Sequence, residues 1–157
     1  MGDGLRLSAA EALYLAAGME KRAISLYERA LLVFGPVAGD VIRALLADER
    51  EHLAGFLSLL EERPDRERAA LLDAKAGDLL FEGGLMGAVR EGAFDSPLSL
   101  LRYAADEEER AAERYGEFAA SATGGAREAF LRIQRQEREH LKALLARAEA
   151  LSEGGNG

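Results

Sequence analysis

The sequence predicts an all-α protein, a four-helix bundle in which two homologous helical hairpins are joined by one long crossover. Three observations carry this. The apolar share of 48% is mostly Ala and Leu, the charged share mostly Glu and Arg, aromatics are 6%, and only three prolines occur. Such a composition favours helices over strands. Apolar residues recur at helical spacing along four long stretches. Finally, sliding the chain by 88 residues, the distance from His52 to His140, lays one half on the other without a gap.

The first helix opens at Ser8-Ala9-Ala10-Glu11, a capping box, and is expected to stop at Gly35-Pro36. The second is expected from near Asp40 until Pro64. Ser96-Pro97 sets a capping serine before a proline at the first helical position, which starts the third helix. Gly124-Gly125 breaks it, and the fourth runs from about Ala126 to Leu151. Hairpin 1 thus covers about 8–62 and hairpin 2 about 96–151, within one domain spanning 1–157; 152–157 read as a flexible tail. Between the hairpins, 65–95 can form a short helix over DRERAALLDAK, and then reads as an irregular, glycine-punctuated connection. The crossover is long enough to return from one end of the bundle to the other.

The 88-residue shift puts Ser8 on Ser96, Leu13 on Leu101, Glu20 on Glu108 and Tyr27 on Tyr115. It also lays Glu49-Arg50-Glu51-His52-Leu53 over Glu137-Arg138-Glu139-His140-Leu141, so both histidines of the chain follow the same Glu-x-x-His spacing. Residues three apart project from nearly one helix face. Ile42, Leu45, Leu46, Leu53 and Phe56 place the first pair on an inward stripe, and Phe130, Ile133, Leu141 and Leu144 do so for the second. Glu20 aligns with Leu13, Ala16, Ala23 and Tyr27, and Glu108 with Leu101, Ala104, Ala111 and Tyr115. Glu20 lies 16 residues before Pro36 and Glu49 lies 13 after it, and Glu108 and Glu137 stand in the same relation to Gly124. Four carboxylates and two imidazoles are therefore expected at one depth. Such a group cannot be buried uncompensated, whereas two divalent cations would offset four negative charges. Oxygen and imidazole donors without sulfur suit iron or manganese, with zinc able to take their place. Glu51 and Glu139 fall off the stripe. Of Asp106-Glu107-Glu108-Glu109, only Glu108 is expected inside.

One Glu from each of two helices plus Glu-x-x-His from each of the other two resembles the di-iron site of ferritin-like bundles. The near-symmetry of the halves resembles the rubrerythrin type in particular, over about 8–62 and 96–150. The resemblance implies two Fe ions held by Glu20, Glu49, His52, Glu108, Glu137 and His140, with Glu49 and Glu137 bridging and the metals serving catalysis. Tyr27 and Tyr115 read as ordinary core tyrosines or as hydrogen-bond donors to ligand carboxylates, ahead of a one-electron relay. The resemblance implies an oxidoreductase reacting with O2 or H2O2, as ferroxidase or peroxidase, in oxidative-stress defence or iron handling; the alternative is an iron-binding or iron-delivery module. A metal-free helical interaction protein is a third reading, against which the intact ligand set argues. Two departures stand out. No cysteine is present for a rubredoxin domain, so an electron donor would be a separate protein, and Ala111 occupies the position one turn after Glu108 where rubrerythrins carry a further Glu. A homodimer is the family expectation.

The formal net charge of −8, without a basic run, argues against nucleic acid. No cysteine means no disulfide and no thiolate site. The N-terminus lacks the pattern of a signal peptide or a myristoylation site. No stretch is expected to reach the roughly 20 apolar residues of a membrane span, so a cytoplasmic protein without a membrane partner is anticipated.

Overall fold

The computed structural model describes residues 7–154 and holds five helices. The readings of the N-terminus over 1–6 and of the tail over 155–157 lie outside the described residues. No strand occurs among the described residues. The described residues form an all-helical bundle.

Helix α1, Ala9–Leu59, starts at the expected capping box: the Glu11 N–H donates to the Ser8 hydroxyl and the Ser8 N–H to the Glu11 carboxylate, both at 3.1 Å. Its helical assignment continues past Pro36, but Phe34 departs from helical geometry (φ −119°, ψ 17°). There the chain reverses. The His52 Nδ1 lies 3.5 Å from the Glu20 carboxylate, whereas 32 residues of unbroken helix would separate them by about 48 Å. α1 is thus two antiparallel arms, 9–33 and 35–59. The expected gap between Gly35-Pro36 and Asp40 does not exist. Pro36 sits in the first turn of the second arm, where its missing N–H has no helical acceptor to satisfy and does not interrupt the helix. That arm ends at Leu59, short of Pro64.

α4, Pro97–Ala120, opens as expected, with the Ser99 N–H donating to the capping Ser96 hydroxyl at 3.0 Å. α5, Gly124–Gly154, starts two residues before Ala126 and continues through part of the expected tail. α5 runs back along α4, and the Gln134 amide donates to the Ala112 carbonyl at 2.9 Å. Gly116 permits that approach, because a Cβ there would collide with the Gln134 amide nitrogen. Contacts between the hairpins set the topology. Tyr27 reaches Glu108 and Tyr115 reaches Glu20, so α4 runs antiparallel to the first arm. His140 reaches Asp48 and Arg147 reaches Asp40, so α5 runs antiparallel to the second arm. The two hairpins therefore lie up-down and down-up, and the crossover spans the length of the bundle.

That crossover begins with α2, Arg66–Leu79, laid along the first arm. Arg68 Nε donates to Glu11 at 2.6 Å near its start, and Arg22 donates to the Leu80 and Phe81 carbonyls at 3.0 and 2.9 Å beyond its end. The expected irregular connection in fact contains a helix, α3, Gly84–Arg90. Gly83 starts it in the left-handed region (φ 79°), which glycine enters without steric cost. Phe81 takes a positive φ of 50° without that freedom.

One expectation about polarity is also corrected. α1 holds an 18-residue stretch of mean hydropathy 1.8, a third of it buried, long and apolar enough to cross a membrane by length and composition. The sequence between Ala30 and Ala47 has only Asp40 and Arg43 as charges. It brackets the reversal, because both sides of the hairpin apex are apolar, and Leu32 is 77% exposed there. In this fold the stretch doubles back at Phe34, and Asp40 pairs with Arg147 at 2.7 Å.

Candidate metal centre

Each helical arm delivers its acid on the inward stripe that the apolar spacing defines. All six candidate ligands lie between 1% and 5% exposed. They form two overlapping groups that could each hold a metal ion: Glu20, Glu49, His52 and Glu137, and Glu49, Glu108, Glu137 and His140. Glu49 and Glu137 belong to both. His52 Nδ1 lies 3.1 Å from Glu49 and 3.5 Å from Glu137, and His140 Nδ1 lies 3.0 Å from Glu137 and 3.5 Å from Glu49. The two imidazoles face each other with ring centroids 5.8 Å apart.

Hydrogen bonds fix how Glu20, Glu108 and the two histidines point. Tyr115 donates to Glu20 Oε1 at 2.8 Å and Tyr27 to Glu108 Oε1 at 2.6 Å. Each tyrosine thus serves the opposite hairpin, and each carboxylate keeps its other oxygen free. Tyr115 also packs on Phe56 and Phe130, with centroids 5.5 and 6.2 Å away, so an aromatic layer supports the site on one side. His52 Nε2 meets Gln136 Oε1 at 2.7 Å, and His140 Nε2 meets Asp48 Oδ2 at 2.9 Å. Both partners are acceptors, so Nε2 donates to them and Nδ1 faces the carboxylates, where a cation would replace any proton it holds.

Each candidate ligand is left with an unpaired atom. Glu20 Oε2, Glu49 Oε1, His52 Nδ1, Glu108 Oε2, Glu137 Oε1 and His140 Nδ1 are all buried without a hydrogen-bond partner. Buried polar atoms normally find one. Here each candidate ligand has such an atom, and each can offer a lone pair to a cation once its proton is displaced. This donor set fits divalent cations.

Electrostatics agree. Burial pushes the Glu49 and Glu137 carboxyls well above the usual range, and the charges of Glu108 and of their other acidic neighbours add to it. Burial also raises Glu20, which His52 and Tyr115 partly counter. For His52, burial alone would lower the imidazole, but the Glu20 and Glu49 carboxylates close to Nδ1 outweigh it and lift it to about 10. His140 reaches about 10 likewise, through Glu108, Glu49 and Asp48. Without a cation, protons must neutralise the cluster.

The expected solvated acids Glu51 and Glu139 are indeed exposed. Glu107 is not solvated as expected. It is buried, accepts the Phe81 N–H at 3.1 Å, and pairs with Arg110 at 3.1 Å. The crossover covers the α4 face that the helical wheel leaves open, and intrahelical spacing cannot foresee that. Sequence reasoning also missed Asp48 and Gln136. The repeat offered a signal, because the 88-residue shift lays one on the other, immediately before Glu49 and Glu137.

Comparison with protein-family models, curated proteins and solved structures finds no match to this chain.

Proposed function

We propose that the chain is a ferritin-like, rubrerythrin-type di-iron protein that reacts with O2 or H2O2. The observation that carries this reading is the gathering of six buried ligands into two overlapping groups, each ligand with a polar atom left unpaired. The up-down, down-up order with a single long crossover supports the ferritin-like assignment. Glu20 and His52 would hold one iron, Glu108 and His140 the other, and the shared Glu49 and Glu137 would bridge them. Two ferrous ions held there would supply two electrons, enough with two protons to reduce one H2O2 to two waters or to begin the reduction of O2.

The protein's own groups orient and enclose. Tyr27 and Tyr115 hold Glu108 and Glu20 by one oxygen each and leave the other for coordination. Burial of all six ligands suits a small oxidant such as O2 or H2O2. No cysteine stands in this sequence to hold an iron–sulfur or rubredoxin-type centre, so electrons would come from outside these residues. Ala111, buried beside the site, offers no further carboxylate.

Metal analysis of the purified protein tests the reading, with two iron ions per chain and an oxo-bridged absorption band expected. His52→Ala and Glu137→Ala should each abolish two-iron loading; retention of two irons by both variants overturns the ligand assignment. Catalytic loss of H2O2 or O2 on adding Fe2+ separates an enzyme from an iron-delivery module.

A further inference from the structure

The site has a pseudo-two-fold arrangement, and one pair of positions breaks it. Under the 88-residue shift the ligands exchange with identical residues, as do Tyr27 and Tyr115. The groups that grip the outer imidazole nitrogens do not. His140 Nε2 meets the carboxylate of Asp48, and His52 Nε2 meets the neutral amide oxygen of Gln136. An anion accepting the Nε2 proton bond draws that proton away and raises the electron density at Nδ1; an amide does so less. We infer that Asp48 makes the two metal half-sites unequal, so that the half-site of His140, Glu108, Glu49 and Glu137 binds a divalent cation more tightly than that of His52, Glu20, Glu49 and Glu137.

This rests on the dinuclear reading above. Asp48 acts through His140 and is a positioning residue, because it reaches the ligand's far nitrogen and not the space between the carboxylates. Its side chain is 45% exposed, against 6% for His140, so solvent screens part of the effect. The expected difference is therefore about 10-fold, the lower end for groups that support metal-bound histidines.

Calorimetric titration of the full-length chain with Co2+ tests this, with visible absorption reporting the ligand field. Two steps in the wild-type isotherm would not be diagnostic, since cation repulsion splits even equal sites. The half-sites are instead compared singly. Glu20→Ala leaves the His140 half-site and Glu108→Ala the His52 half-site. Co2+ should bind the first variant about 10-fold more tightly than the second. Adding Asp48→Asn to Glu20→Ala should erase that advantage, and adding Gln136→Glu to Glu108→Ala should confer it. The combined exchange Asp48→Gln with Gln136→Glu should reverse which background binds tighter, an inversion that a purely structural role for Asp48 would not produce. Equal affinities in the two single backgrounds, or affinities indifferent to residues 48 and 136, overturn the inference while leaving the dinuclear site intact. Uptake of fewer than two Co2+ by the wild type overturns both.

Discussion

Glu107 and Glu108 stand side by side on α4 and both are buried, yet their carboxylates meet opposite surroundings. Glu107 turns toward the crossover, where the Phe81 N–H and the Arg110 guanidinium satisfy it. Glu108 turns into the bundle, where Tyr27 holds one oxygen and the other has no partner. Burial alone therefore does not mark a ligand. A buried acid with its hydrogen bonds complete fastens two elements together; one with an orphaned oxygen beside other orphaned donors marks a place for a cation.

The sharpest way to break this contrast is cation-dependent stability. At a thousandfold excess over its dissociation constant, a divalent cation should stabilise the wild type by about 4 kcal/mol per site. Glu107→Gln should keep this gain in full, and Glu108→Ala should lose one site's share, both read from thermal or denaturant unfolding with and without chelator. A Glu107 variant that loses the gain would erase the distinction.

Next is the pH dependence of the metal-free protein. His52 and His140 are raised from 6.5 to about 10 in the fold, and Glu49 and Glu137 are raised as well. The folded state then binds more protons than the unfolded one, so the stability these groups supply is complete below their unfolded values. For the histidines it is lost as pH rises from about 6.5 through 10. Unfolding midpoints of the metal-free chain should fall over that interval, and cations should flatten the curve. A midpoint that rises with pH contradicts the proton-sharing cluster.

The smallest expected effect is one of sign in the metal-free protein. Glu107→Ala leaves the Phe81 N–H buried without its acceptor and should cost about 1–3 kcal/mol; the pair with Arg110, itself mostly exposed, adds little. Glu137→Gln removes a carboxyl that the buried cluster forces to take up a proton, and should stabilise the metal-free fold by about 1 kcal/mol. Denaturant midpoints in the presence of chelator compare the two.

Much of this was legible along the chain. The capping box at Ser8, the Ser96-Pro97 start, the duplicated Glu-x-x-His and the equal distances from the turns all depend on local geometry, which the helical period conveys. The reversal at Phe34 was read a residue or two late, because Gly35-Pro36 is the stronger breaker on composition. The α3 helix was hidden, since glycines that permit a left-handed helix start also read as loop.

By itself, then, the sequence determined that the chain is helical, that it is duplicated, and that six donors face inward at one level, since each of these follows from spacing within a single helix. Only the tertiary structure decided that each tyrosine serves the opposite hairpin, that Asp48 and Gln136 grip different histidines, and that Glu107 is sealed by the crossover. Those pairings join residues 26 to 95 positions apart, and the helix period says where a side chain points but not what another element brings to meet it.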